Sequence, residues 1–303
     1  MKDRRLGARD TPAPAARRAA PWLPIAMLIT AMASMQLGAA FAKGLFPAVG
    51  AQGTTALRLA FSALILAAAH RPWRSLRWDR SALPLVAYGL SLGTMNTLFY
   101  LALRTVPLGV AIALEFVGPL TVAVAGSRRW KDGAWIALAV AGLGLLLPVR
   151  HAVHAIDPVG AMLALGSGAA WALYIVFGRR VGVAYGARGA ALGMIIAALV
   201  FAPLGVAAAG PARFTLALLP SGALLALLSS AIPYSLEMAA LTRIPARAFG
   251  TMMSLEPAVG ALAGLAILHE SLAPLQWAGL AAVMLASLGT ALTLPVDTQP
   301  APT

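Results

Sequence analysis

The sequence predicts an all-α membrane protein of ten transmembrane helices, arranged as two inverted five-helix repeats. Three observations predict it. Hydrophobic residues make up 60% of the 303 residues and charged residues 11%, with mean hydropathy +0.82; a water-soluble domain of that composition would leave much of it exposed to water. The basic residues fall mostly in alternate segments between the apolar runs, as they do when one side of a membrane is marked. The chain also repeats itself. Phe41-Ala42-Lys43 through Gly50-Ala51-Gln52-Gly53 matches Phe177-Gly178-Arg179 through Gly186-Ala187-Arg188-Gly189 at an offset of 136. Ala102-Leu103-Arg104-Thr105-Val106-Pro107 matches Ala240-Leu241-Thr242-Arg243-Ile244-Pro245 at 138, where Pro119 also falls on Pro257 and Gly126 on Gly264. An odd number of spans per copy, five, turns the second copy upside down in the membrane.

Taken in order, apolar runs of about 20 residues suffice to cross a bilayer. The first half offers spans near 23–42, 51–69, 83–103, 108–126 and 133–148. The second offers 159–178, 189–209, 217–238, 248–268 and 275–294. Residues 1–22 read as a disordered basic cytoplasmic tail, 23–148 as the first repeat, 159–294 as the second and 295–303 as a short cytoplasmic tail. Basic residues, an apolar stretch and Ala40-Phe41-Ala42 before Lys43 imitate a cleavable signal peptide. Segment 41–53 recurs at 177–189, however, so it reads as part of the repeat.

With the N-terminus inside, eighteen basic residues fall in cytoplasmic segments and four in outer ones, leaving Arg58 alone within a span. That bias sets both termini in the cytoplasm. The net charge of +13 therefore reports orientation and contact with anionic membrane lipids rather than a nucleic-acid partner. With no cysteine, a thiolate metal site, a disulfide and a thiol nucleophile are excluded. His151 and His154 share an outer loop with a single acid, Asp157, and no metal site is expected there. The chain lacks G-x-x-x-x-G-K-[ST], H-E-x-x-H and G-x-S-x-G, so neither ATP hydrolysis nor a cofactor is expected. Trp22, Trp73, Trp78, Trp130 and Trp135 fall near span ends, as an aromatic belt would.

Charge inside a bilayer is expensive, which makes an ionisable residue within a span a functional candidate. At about 1.5 Å per residue, Arg58 lies roughly 10 Å and Glu115 roughly 12 Å below the outer face. Glu256 lies roughly 16 Å from the inner face, near the centre of a ~30 Å core. Arg58 and Glu115 share a depth, and three readings stand open: a static ion pair, contacts to the charged ends of a zwitterion, or Glu115 as a proton carrier. Pro119 and Pro257 each remove a backbone donor from spans 4 and 9, giving one interrupted, carboxylate-bearing helix per half. Interrupted helices in corresponding positions are the best sequence pointer to a transport site. Glu237, near the inner end of span 8, reads as an interfacial anchor, with a ligand role as the alternative. Gln36, Asn96, Tyr100, Ser229, Ser230 and Tyr234 are candidates to line a cavity or to bond neighbouring helices. Gly89/Gly93 and Gly260/Gly264 read as close helix contacts.

Three stretches carry a resemblance beyond patterning: residues 105–120 (TVPLGVAIALEFVGPL), 233–245 (PYSLEMAALTRIP) and 249–258 (FGTMMSLEPA). With two five-helix units and proline-bearing spans 4 and 9, the chain resembles the EamA-type branch of the drug/metabolite transporter superfamily over about residues 21–295. The resemblance implies an inner-membrane secondary transporter, not an enzyme. It would export threonine, homoserine or similar small amino acids by proton-coupled alternating access. It implies a central cavity to which spans 1, 3, 4, 6, 8 and 9 contribute. Glu115 and Glu256 are then candidates for substrate-ammonium contact or proton exchange, and Arg58 for carboxylate contact or for setting the Glu115 pKa. Gln36, Asn96, Tyr100 and Tyr234 would shape the cavity. Export of other metabolites, such as purine-related compounds or drugs, is the alternative within transport. An intramembrane lipid-modifying enzyme, or a sensor or assembly subunit, is the alternative outside it. Oligomeric state is not legible.

Overall fold

The computed structural model describes residues 22–75, 82–125, 132–146, 157–186, 188–241, 243, 249 and 252–293. Residues 1–21 and 294–303, His151, His154, Trp78 and Trp130 lie outside them. Helices dominate, and no strand occurs among the described residues. In order they are α1 (Trp22–His70), α2 (Ala82–Ala102), α3 (Leu108–Glu115), α4 (Val117–Ala125), α5 (Asp132–Leu146) and α6 (Pro158–Tyr185). There follow α7 (Arg188–Ala209), α8 (Leu219–Ala226), α9 (Ile232–Leu241), α10 (Glu256–Ile267) and α11 (Pro274–Thr293). Trp22–His70, Ala82–Ala102, Pro158–Tyr185, Arg188–Ala209 and the stretch Leu216–Glu237 are long and apolar enough to cross a membrane. Val183, Leu83, Met162 and Leu199 lie open on helix exteriors. Lipid tails accept such side chains, and helices hide the backbone polar groups that lipid would not. The chain is a multi-pass membrane protein.

Local chemistry sets where the helices bend. α1 covers two expected spans and turns at Gly50 (φ 70°, ψ 173°), a backbone conformation that glycine adopts freely. Residues 43–49, expected as an outer loop, are helical instead, with Pro47 inside. One glycine makes the whole turn, so no loop is needed. Gly186 (φ 57°) ends α6 in the same way. The expected span 108–126 is interrupted at Phe116, between α3 and α4. Pro119 has no N–H, which deprives the Glu115 carbonyl of its helical partner. α8 and α9 are joined through a π-helical turn, Leu227–Ala231, one turn before Pro233. α10 begins only at Glu256, with Pro257 in its first turn, after a turn at Ser254 and Leu255.

α1 packs on α7, on α8 and α9, and on α10; α2 packs on α6 and α7; α3 on α10 and α6; α4 on α6; α5 on α11. Gly118 and Gly168 make the approach of α3 and α4 to α6 possible, since a Cβ on Gly118 would run into the Gly168 carbonyl and one on Gly168 into the Glu115 carbonyl. Gly89 and Gly93 face Ile196 and Phe201 of α7, and Gly260 faces Ile112 of α3, which are the helix contacts expected of them. The largest buried apolar cluster joins Tyr100, Leu103, Val106, Leu108 and Ala111 to Ala39, Ala161, Leu225 and Ala261. It fills the end of the bundle that carries Gly50 and Pro107. Smaller clusters around Leu92 and Met194, and around Leu85 and Tyr185, tie α2, α6 and α7 together.

Candidate functional site

A cavity of about 170 Å³ lies between the halves. α1 lines it with Met35, Gln36, Ala39 and Arg58, α2 with Met95, Asn96 and Phe99, and α3 with Ile112 and Glu115. α6 adds Trp171 and Tyr174, α9 Tyr234 and Glu237, and the far side is Met253 with Glu256. Of the seven residues predicted for the site, Gln36, Arg58, Asn96, Glu115, Tyr234 and Glu256 meet here. Tyr100 does not line the cavity. It is fully buried behind it and positions Arg58, whose Nη1 donates to Tyr100 Oη at 3.2 Å.

Arg58 is held by what its neighbours lack. Its Nη2 donates to the Ser229 carbonyl at 3.2 Å. Ser229 is four residues before Pro233, so proline leaves that carbonyl without an α-helical donor. The guanidinium supplies one. Its Cζ also lies 5.4 Å from the Tyr100 ring centre, within cation–π reach. The static Arg58–Glu115 ion pair, one of the open readings, is not formed: no ion pair joins them among the described residues. Equal depth on two helices does not make side chains point at one another. Arg58 Nε is buried with no hydrogen-bond partner among the described residues.

The two carboxylates are held differently. Ser167 Oγ on α6 lies 2.5 Å from Glu115 Oε1. Glu256 Oε1 accepts a long bond from Gln36 Nε2 at 3.4 Å, and its Oε2 is buried with no partner. Glu256 also stands in the first turn of α10, where the helix dipole favours an anion. Buried polar atoms are nearly always bonded. An unpartnered guanidinium nitrogen and an unpartnered carboxylate oxygen thus belong to two residues that line one cavity.

Other side chains correct or extend the expectation. Glu237, expected as an interfacial anchor, lines the cavity one turn from the end of α9. Trp171 and Tyr174 form a wall on α6. Trp171 meets Phe116 edge-on at 5.5 Å, and Tyr174 stacks on Tyr88 at 4.7 Å with a 3.1 Å bond between the hydroxyls. Their i, i+3 spacing was the available signal, but it is also the spacing of ordinary packing. Ser229 and Ser230 serve helix contacts: Ser62 donates to Ser230 Oγ at 2.8 Å, and Ser34 donates to the neighbouring Leu228 carbonyl at 2.8 Å.

The end of the cavity nearest Gly50 is sealed by the large apolar cluster and by polar ties. Lys43 of α1 pairs with Glu270, beyond α10, at 2.5 Å, and Glu270 Oε2 accepts the Leu108 N–H that opens α3 at 2.7 Å. Asp157 caps α6 at the same end, accepting from Gly160 N at 3.0 Å and Thr105 Oγ1 at 2.8 Å. The Thr105 hydroxyl first, and the backbone N–H groups of Gly160 and Val159 after it, hold this exposed carboxyl below its ordinary range.

Comparison with known proteins places the chain. Residues 158–292 match the EamA-like transporter family. The chain is 52% identical to the threonine/homoserine exporter RhtA of Escherichia coli (strain K12), over 93% of this chain and 96% of that protein. The same identity and coverage hold for the protein of that name in Salmonella typhimurium (strain LT2). A solved crystal structure 18% identical to the chain superposes with a TM-score of 0.59, covering 88% of this chain and 94% of that one. That likeness bears on the fold alone. The membrane-length helices and the full-length identity agree: the chain belongs to the EamA-like transporter family.

Proposed function

We propose that this protein is an inner-membrane secondary transporter that exports threonine, homoserine or similar small amino acids by proton-coupled alternating access. The observation that carries the reading is the pair of unpartnered buried groups, Arg58 Nε and Glu256 Oε2, around one cavity. An α-amino acid brings a carboxylate to the first and an ammonium to the second. The cavity, at about 170 Å³, is smaller than the roughly 300 Å³ at which drug-sized sites begin, which favours a small metabolite over a drug. The curated relatives named as threonine/homoserine exporters support the same cargo.

Glu256 is assigned the substrate ammonium and Glu115 the proton. Gln36, Asn96 and Tyr234 shape the cavity, and Tyr100 holds Arg58. The inverted repeat, residues 23–148 against 159–294, draws support from three directions. Gly50 and Gly186, 136 apart, both turn the chain with positive φ. The interruptions at Phe116 and Ser254, 138 apart, precede Pro119 and Pro257. Packing follows a two-fold exchange: the second arm of α1 on α7, α3 on α10 and α5 on α11 each pair equivalent segments, while α2 on α6 mirrors α8–α9 on α1. The basic bias puts both termini in the cytoplasm, so the sealed Gly50 end faces out and the cavity of this state serves the inside.

The test is efflux of preloaded labelled threonine from proteoliposomes, with and without an acid-outside gradient. Efflux accelerated by the gradient and suppressed by unlabelled homoserine is the expected result. No efflux in either condition, from protein shown to be folded, overturns the cargo, and a competition panel of purine-related metabolites follows.

A further inference from the structure

We infer that Ser167 is a positioning residue that links the proton on Glu115 to the contact between α2 and α6. The inference rests on the reading of Glu115 as the proton site and names how that proton is felt by the fold.

Ser167 is fully buried on α6. Its Oγ lies 2.8 Å from the Met95 carbonyl of α2 and 2.5 Å from Glu115 Oε1 of α3. A hydroxyl has one proton to give. The Met95 carbonyl only accepts. An ionised Glu115 only accepts as well, so one proton would face two acceptors at hydrogen-bond distance. Both contacts are satisfied together when Glu115 carries a proton and donates it to Ser167 Oγ, which in turn donates to Met95. When Glu115 loses that proton, its carboxylate becomes the stronger acceptor, because charge-assisted bonds are roughly twice as strong as neutral ones. The Ser167 hydroxyl then turns to Glu115 and the Met95 carbonyl loses its tie. α2 and α6 belong to different halves of the chain, so a proton on Glu115 adds a bond across the cavity wall and its departure removes it.

The surroundings give this switch few competitors. Arg58 of α1, Glu237 of α9 and Glu256 of α10 are the ionisable side chains that line the same cavity as Glu115. Tyr100 of α2, Tyr174 of α6 and Tyr234 of α9 are the remaining titratable neighbours. α4 and α11 carry none, and the one acid of α5, Asp132, is that helix's first residue.

The experiment compares the full-length wild type with S167A, S167T and E115Q after reconstitution. Infrared difference titration follows the C=O stretch of protonated carboxyl groups, and threonine transport is measured across the same pH range. The expected result is a carboxyl band that E115Q removes. S167A shifts that band and moves its titration midpoint to higher pH by about one unit, since the ionised form loses the stronger bond. S167T, which keeps the hydroxyl, restores the midpoint. Should S167A fail to fold, S167C, with its weak S–H donor, reads the same shift. An S167A midpoint equal to that of wild type, whatever its transport rate, overturns the inference. So does the absence of a band that E115Q removes. A band that shifts as expected in protein that moves no threonine supports the Ser167 linkage and overturns the transport reading instead.

Discussion

α3–α4 in the first half and α10 in the second break at corresponding points, each beside a proline and a glutamate, yet the two glutamates meet different chemistry. Glu115 precedes its break and is within bonding distance of a serine on the neighbouring helix. Glu256 follows its break, opens a helix, and keeps one oxygen with no protein partner. Repetition of a motif therefore did not repeat the site. The first copy offers a carboxyl that protein groups can satisfy in a protonated state. The second offers one with an oxygen that no described protein group partners. That contrast is why the proton is assigned to the first and the ammonium to the second.

The largest expected effect is that of Glu256→Gln. A hydrogen bond to a charged group contributes about 1.5–3 kcal/mol, so threonine transport should fall roughly 10- to 100-fold at every pH. Normal transport by that variant would dissolve the contrast. Arg58→Lys comes next. Lysine cannot reproduce the fork that reaches both Tyr100 Oη and the Ser229 carbonyl. An increase in KM of about tenfold, with a smaller change in kcat, is expected from initial-rate measurements. Glu115→Gln sharpens the comparison in the other direction. Efflux without a gradient should stay within a few-fold of wild type, while acceleration by outside acid disappears. Loss of basal efflux equal to that of Glu256→Gln would show that both carboxylates hold substrate.

The smallest effect is expected at Asp157, away from the cavity. Its carboxyl titrates lower in the folded chain than in the unfolded one, so its contribution is present above the ordinary Asp range of about 4 and fades as pH falls through the lowered folded value. Asn is also a good helix N-cap. Asp157→Asn should therefore lower the Tm slightly at neutral pH, with the difference closing in acid, and leave threonine efflux unchanged.

Much of the site was legible because polar residues stand out in apolar runs. Gln36, Arg58, Asn96, Glu115, Tyr234 and Glu256 could be picked out on cost alone, and they converge. Glu237, open in sequence between an anchor and a ligand, lines the cavity, because nearness to a helix end is shared by anchors and by cavity mouths. Trp171, Tyr174, Met35, Met95 and Met253 gave no signal that separates a cavity wall from packing, since aromatic and methionine side chains are ordinary packing material in such helices. Ser167 gave none either: a serine within a membrane helix is commonly there for close packing. The extra helical length at 43–49 was missed because Lys43 and Pro47 resemble loop chemistry, whereas Gly50 alone turns the chain.

Composition, charge bias, repeats and proline positions determined by themselves that this chain is helical, that the helices holding Pro119 and Pro257 are interrupted, and which ionisable groups had to be explained. Those properties follow from hydropathy and from backbone donors that proline removes, and both are local. Only the tertiary structure decided that Arg58 turns to Tyr100 and to a carbonyl freed by Pro233 rather than to Glu115. Only it left Glu256 Oε2 without a partner and set Ser167 between Met95 and Glu115. Depth along a helix can be counted from sequence. The direction in which a side chain points depends on how each helix is rotated against its neighbours, and packing across the two halves sets that rotation.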